Sequence, residues 1–144
     1  MTNKLIASCI DHTLLKPDVG LLQLHQLCKE AHTFGVHSVC VNPYMVKEAT
    51  KYLKNSPVQI CSVAGFPLGA NTTMAKLMEI ETCLNVGASE IDMVMNIGFL
   101  KEGKMQAVTN ECVPGCRSAG NPRGPSHALI SRLALLDGPV ERTP

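Results

Sequence analysis

Between residues 5 and 112 the hydrophobic positions change period several times. Leu21, Leu22, Leu24, Leu27, Cys28 and Ala31 recur three and four apart, a helical stripe that Asp18 would cap and Gly35 would stop. Val36 to Val41 is a compact apolar run and reads as a strand. Asn42 then caps, and Pro43 takes the first position of a helix running to about Leu53, before Asn55-Ser56-Pro57 turns the chain. Val58 to Val63 is a second strand, followed by the loop Gly65 to Asn71. Thr72 or Thr73 caps a helix whose stripe is Ala75, Leu77, Met78, Ile80, Glu81, Cys83 and Leu84, closed by Gly87. Ser89 to Gly98 is the next strand, Gly98 to Gly103 a loop, and Lys104 to about Cys112 the start of another helix. Ahead of all these, Leu5 to Cys9 reads as a short lead-in helix, and Asp11 to Leu15 enters a loop broken by Pro17.

Strand followed by helix, repeated, implies right-handed crossovers and a parallel sheet, an α/β fold with its chemistry at the C-terminal strand ends. In the strand Ser89 to Gly98, Ile91, Met93 and Met95 point one way, while Glu90, Asp92, Val94 and Asn96 point the other. Apolar side chains on both faces mark a strand covered on both sides. A carboxylate in such a place is costly unless it is hydrogen-bonded, paired or used in chemistry. Asp92 is therefore the first candidate for function, with a strand-end cap or a structural hydrogen bond as the plainer reading.

Composition narrows the field. The chain has 144 residues and a net charge of +1, so electrostatics gives no reason to expect nucleic acid or an acidic membrane surface as a partner. Its apolar runs are too short to span a bilayer. Asp11 and His12 interrupt the N-terminal segment too early for a secretory signal, and the cytoplasm is the expected compartment. Cys9, Cys28, Cys40, Cys61 and Cys83 are scattered through apolar segments, which fits reduced buried thiols rather than a disulfide framework. Cys112 and Cys116 are the one close pair, and no second pair or histidine nearby completes a ligand set, so no metal is expected; a small redox or zinc module is the weakest of the readings.

Four stretches carry a family resemblance: Ile10-Asp11-His12-Thr13-Leu14-Leu15-Lys16-Pro17, Val39-Cys40-Val41-Asn42-Pro43-Tyr44, Val63-Ala64-Gly65-Phe66-Pro67-Leu68-Gly69-Ala70 and Glu90-Ile91-Asp92-Met93-Val94-Met95-Asn96-Ile97-Gly98. In this order, from about Ile6 to about Glu111, the chain closely resembles the deoxyribose-phosphate aldolases, a class I family. The resemblance implies the N-terminal part of a (β/α)8 TIM barrel, incomplete here. It implies reversible cleavage of 2-deoxy-D-ribose 5-phosphate to D-glyceraldehyde 3-phosphate and acetaldehyde, through a lysine Schiff base and without metal or organic cofactor. The expected partners are this small phosphosugar and further copies of the chain in a homo-oligomer. By motif, Asp92 matches the family's proton-moving carboxylate, and Asp11, Thr13 and Leu15 match pocket-lining residues of the family's first strand region. Cys40 lines it too, as a small apolar wall rather than a nucleophile. His12 falls on the opposite strand face and reads as structural. The family's two mechanistic lysines belong to later strands; Lys101 and Lys104 read as surface ammonium groups.

After residue 112 the residue usage changes. The nine lysines all lie at or before Lys104, the four arginines at or after Arg117, and Pro114, Pro122, Pro125, Pro139 and Pro144 crowd the last part. Residues 1–112 are thus expected to form a partial barrel domain and residues 113–144 an unmatched, disordered tail with one short apolar run, Ala128 to Leu136, from a read-through of another frame or an alternative terminus. About three strands and three or four helices would leave an open sheet edge and a tendency to aggregate. The alternative to an active aldolase is a truncated non-catalytic form that lacks the Schiff-base lysine.

Overall fold

The computed structural model describes residues 3–118. Four parallel strands lie in sequence order: β1 (Asp11–Leu14), β2 (Ser38–Val41), β3 (Gln59–Ala64) and β4 (Glu90–Met93). Helix α1 (Asn3–Ala7) leads in. Helix α2 (Leu21–Phe34) joins β1 to β2, and a 3₁₀ turn at Pro43–Met45 runs into α3 (Val46–Tyr52) between β2 and β3. Helix α4 (Thr73–Asn85) joins β3 to β4, after which come α5 (Ile97–Lys101) and α6 (Met105–Ser118). This is the α/β arrangement of an incomplete barrel, with β1 and β4 as the outer strands of the described sheet.

One face of the sheet is sealed by helices. Val39, Val41, Ile60, Ala64, Ile91 and Met93 point to that side and pack with Leu24, Leu27 and Ala31 of α2, Val46 and Ala49 of α3, and Ile80 and Cys83 of α4. Burying each branched side chain of this kind stabilises the fold by roughly 1.5–3 kcal/mol, so this layer is what holds the strands in register. The parity of β4 is as its pattern implies: Ile91 and Met93 are buried in that layer, while Glu90 and Asp92 face the other side, half-buried. That other side holds a smaller cluster of Cys40, Cys61 and Val63, with Leu15 against it.

Several local expectations are corrected. Asp11–Leu14 is a strand, as the family resemblance implies and the pattern alone does not; Asp11 and Thr13 make that pattern too polar and too short to stand out, and pairing to β2 supplies what propensity does not. Helix α2 is capped at Gly20, not Asp18: the Gly20 N–H donates to Gln23 Oε1 at 2.8 Å. Leu21 and Leu22 start the helix outside the buried stripe and are exposed. In α4 the buried line is Lys76, Ile80 and Cys83, and Met78 is exposed. Within the expected loop Gly98 to Gly103 sits α5, because Asn96 Oδ1 accepts the Phe99 N–H at 3.0 Å and caps a new turn. The helix expected to start at Lys104 is α6, Met105–Ser118; the run Ala128 to Leu136 lies outside the described residues.

Candidate active site

Parallel pairing sets the second face of the sheet in rows. Thr13, Cys40, Cys61 and Glu90 are successive partners across the four strands, and Val63 pairs with Asp92 two residues further along. Towards the C-terminal strand ends, the two sulfurs of Cys40 and Cys61 and a carboxylate oxygen of Asp92 all lie within 4.8 Å of one another. Both thiols are buried, and Asp92 is half-buried. The Val94 N–H donates to Ala64 O at 3.0 Å, so the ladder continues past Asp92 and fixes the backbone that carries it.

The electrostatics of the cluster favour neutral sulfur. The Cys61 thiol is pushed far above its ordinary range, first by its hydrogen bond with Cys40, next by burial, and then by the charges of Cys40, Asp92 and Glu90. A thiol so held is a poor nucleophile at neutral pH, since the thiolate is the reactive form. The cluster thus offers one ionisable oxygen donor on a wall of sulfur and aliphatic carbon, a setting suited to moving a proton.

Of the five site residues expected from sequence, the structure brings Asp92 and Cys40 together and sets Leu15 against the same apolar cluster. Thr13 is the row partner of Cys40 but is exposed, and its hydroxyl donates to Asp11 O at 2.9 Å. Asp11 lies at the opposite, N-terminal end of the face, where Asp11 Oδ1 accepts the Ser38 hydroxyl at 2.7 Å. It shares that end with His37 and Glu90, joined Nε2 to Oε1 at 2.7 Å. His12 points to the helix side and meets Glu30 Oε2 of α2 at 2.9 Å. Lys101 and Lys104 are exposed, as expected of surface groups.

Sequence reading missed the group that ties the loops above the site together. The Lys76 side chain is completely buried; its Nζ donates to Gly69 O at 2.8 Å and to Glu111 Oε1 at 2.7 Å. Glu111 Oε2 in turn accepts the Asn96 N–H at 2.7 Å. One ion pair thereby joins the loop after β3, the loop after β4, α4 and α6. Glu79, also on α4, grips the start of the β3 loop by accepting the Gly65 N–H at 2.7 Å. The loops touch directly: a Cβ on Gly69 would stand 2.0 Å from Met95 O, and one on Gly65 would stand 2.6 Å from Lys76 Cε. Gly65 and Gly69 both have positive φ, 63° and 66° respectively, a region that L side chains avoid. The available signal was a lysine in step with Ile80 and Cys83, at the i, i+4, i+7 positions of a buried stripe.

Comparison with known proteins places this arrangement. No family model matches the chain. The deoxyribose-phosphate aldolase of Malacoplasma penetrans is 50% identical over 108 residues, 75% of this chain and 49% of the relative. The chain is homologous to the deoxyribose-phosphate aldolases. That of Staphylococcus saprophyticus is 47% identical over 130 residues, 90% of this chain and 58% of the relative, a match that passes residue 112. In structure, a Coccidioides immitis chain assigned as a deoxyribose-phosphate aldolase superposes with a TM-score of 0.80 at 35% identity, over 83% of this chain and 47% of that one. This chain spans about half the length of the curated aldolases it matches.

Proposed function

We propose that the chain carries the proton-transfer portion of a class I aldolase site acting on 2-deoxy-D-ribose 5-phosphate. In this reading the substrate carbonyl condenses with a lysine amine, and the resulting imine draws electrons from the breaking carbon–carbon bond. D-glyceraldehyde 3-phosphate leaves, and acetaldehyde is released by hydrolysis. Asp92 passes protons to and from the imine and enamine, directly or through one water. Cys40 and Leu15 form the apolar wall beside it; Thr13 and Asp11 extend the same face toward its N-terminal end. The observation that carries the reading is Asp92 itself: a half-buried carboxylate beside Cys40 at the C-terminal end of a parallel strand, within a stretch homologous to the aldolases. The cytoplasm and deoxyribose catabolism are the corresponding setting.

A second reading is a non-catalytic form. It is favoured by the lysines: among the described residues the completely buried one, Lys76, is bound to Glu111 and Gly69, and Lys101 and Lys104 are on the surface. Intact mass after incubation with substrate and borohydride separates the two. A reduced adduct on a lysine, accompanied by retro-aldol turnover that Asp92→Asn abolishes, supports the catalytic reading. Absence of both from folded protein supports the second.

A further inference from the structure

The Cys40–Cys61–Asp92 cluster has a second chemistry that proton transfer does not use. Cys40 and Cys61 are direct partners in a parallel ladder, so their side chains leave the same face from backbones about 4.8 Å apart. Asp92 reaches the same point from β4, and the two sulfurs and the oxygen lie mutually within 4.8 Å. Tetrahedral zinc, with bonds of about 2.3 Å to sulfur and about 2.0–2.2 Å to oxygen, holds its ligand atoms roughly 3.5–3.8 Å apart. The three donors therefore need to close by about an ångström at most, within reach of side-chain rotation. Val63 and Leu15 border the cluster with carbon, which strengthens any charge interaction formed there.

We propose that Cys40, Cys61 and Asp92 bind a thiophilic divalent cation, zinc or cadmium, through two thiolates and one carboxylate. Binding displaces the two thiol protons to solvent; no electron is transferred, and the fourth position is left to water. The donor set selects the metal: two sulfurs reject magnesium and calcium, which require oxygen ligands. Metal binding does not depend on the aldolase reading. Its consequence does: a cation on Asp92 occupies the carboxylate that would shuttle protons, so the metal acts as an inhibitor. The other acidic group, Asp11 with His37 and Glu90, offers no sulfur and so gives no preference for a thiophilic ion.

The test is titration of the reduced full chain with cobalt(II), followed by displacement with zinc. The expected result is one metal per chain by native mass spectrometry, a thiolate-to-cobalt charge-transfer band in the near ultraviolet, and two protons released per ion in weak buffer. Cys40→Ser or Cys61→Ser abolishes the band and weakens binding roughly 100-fold or more. Cys112→Ser/Cys116→Ser leaves both unchanged. Because serine at a buried cysteine can impair folding, the wild-type chain is also alkylated with and without cadmium. Protection confined to Cys40 and Cys61 supports the site. No charge-transfer band, a band lost with the Cys112 and Cys116 variant, or protection at other cysteines overturns it. A chain that binds metal as expected but, in its metal-free reduced form, shows no retro-aldol turnover sinks the aldolase reading alone.

Discussion

Removing the ammonium of Lys76 is the sharpest perturbation the fold offers. In Lys76→Met the stem is replaced by a side chain of similar length, so packing under Gly65 is largely kept while the charge is lost. Glu111, 3% exposed, then keeps a buried carboxylate that accepts from the Asn96 N–H but has lost its counter-charge. Gly69 O loses the ammonium donor as well. Breaking a buried pair from one side costs roughly 3–5 kcal/mol, because the surviving charge has left water without compensation. Against a typical domain stability of about 5–15 kcal/mol this is a large fraction. Glu111→Gln keeps an acceptor for Asn96 but strands the buried Lys76 ammonium, so it is expected to cost a similar roughly 3–5 kcal/mol. In Lys76→Met/Glu111→Gln no charge is left stranded and the amide oxygen still accepts from Asn96, so the loss shrinks to one unpaired backbone group, Gly69 O, costing roughly 1–3 kcal/mol. Urea denaturation of the four proteins gives the coupling energy, and amide exchange at Asn96 reads the clamp locally. Single variants costing less than about 1 kcal/mol, or effects that simply add, would refute the account of the pair as mutually dependent.

Gly69→Ala is expected to destabilise well beyond the roughly 1–2 kcal/mol of left-handed strain, because its Cβ would meet Met95 O at 2.0 Å; Gly35→Ala, with φ +64° and nothing within 4 Å, should show the strain alone, and equal urea midpoints would defeat the comparison. Asn96→Ala removes the cap of α5 and should cost about 1 kcal/mol, with faster amide exchange at Phe99 and little change at Phe34. Burial pushes the Cys28 thiol from its ordinary 9.0 up to about 11. Its folded value is the higher one, so its stabilisation is complete below pH 9 and is lost as pH rises through about 11; Cys28→Ala should flatten the alkaline limb of a stability-against-pH curve, and an unchanged limb would show that burial is not its cause.

The sequence made the layer order legible because periodicity reports burial. Val39, Val41, Ile60, Ile91 and Met93 alternate as strands must, and they form the helix-covered face. β1 was not legible from its own pattern for the same reason: its residues on the site face, Asp11 and Thr13, are polar, and it is held by pairing to β2 rather than by an apolar stripe. α5 was hidden because its existence depends on one side-chain cap rather than on a stripe. In the site, the parity of β4 sufficed to put Asp92 opposite Ile91 and Met93. The meeting of Cys40 with Cys61 depends on inter-strand register, which no single segment encodes. Lys76 was missed because a charged residue is expected on the solvent side of a helix, and only the distant Glu111 makes its burial tolerable.

The distance in sequence between Lys76 and Glu111 bears on where the structural unit can be divided. Helix α6 contributes buried Val108 and Glu111, and Cys112 packs against the main core, so the helix is part of the fold and not an appendage to it. Asp92 stands between two anchors. Below it the β3–β4 ladder fixes Val63 against it; beyond it the Asn96 N–H is held by Glu111. Hydrophobic residues in place of a buried ion pair are often at least as stabilising, so stability alone is a weak reason for Lys76 and Glu111. Directionality is a better one. The pair binds a carbonyl of one loop and an amide of the other at fixed angles, which an aliphatic contact cannot do. The backbone leading away from the carboxylate is thereby set relative to the loop from Gly65 to Asn71, and the mouth of the site takes one shape rather than several.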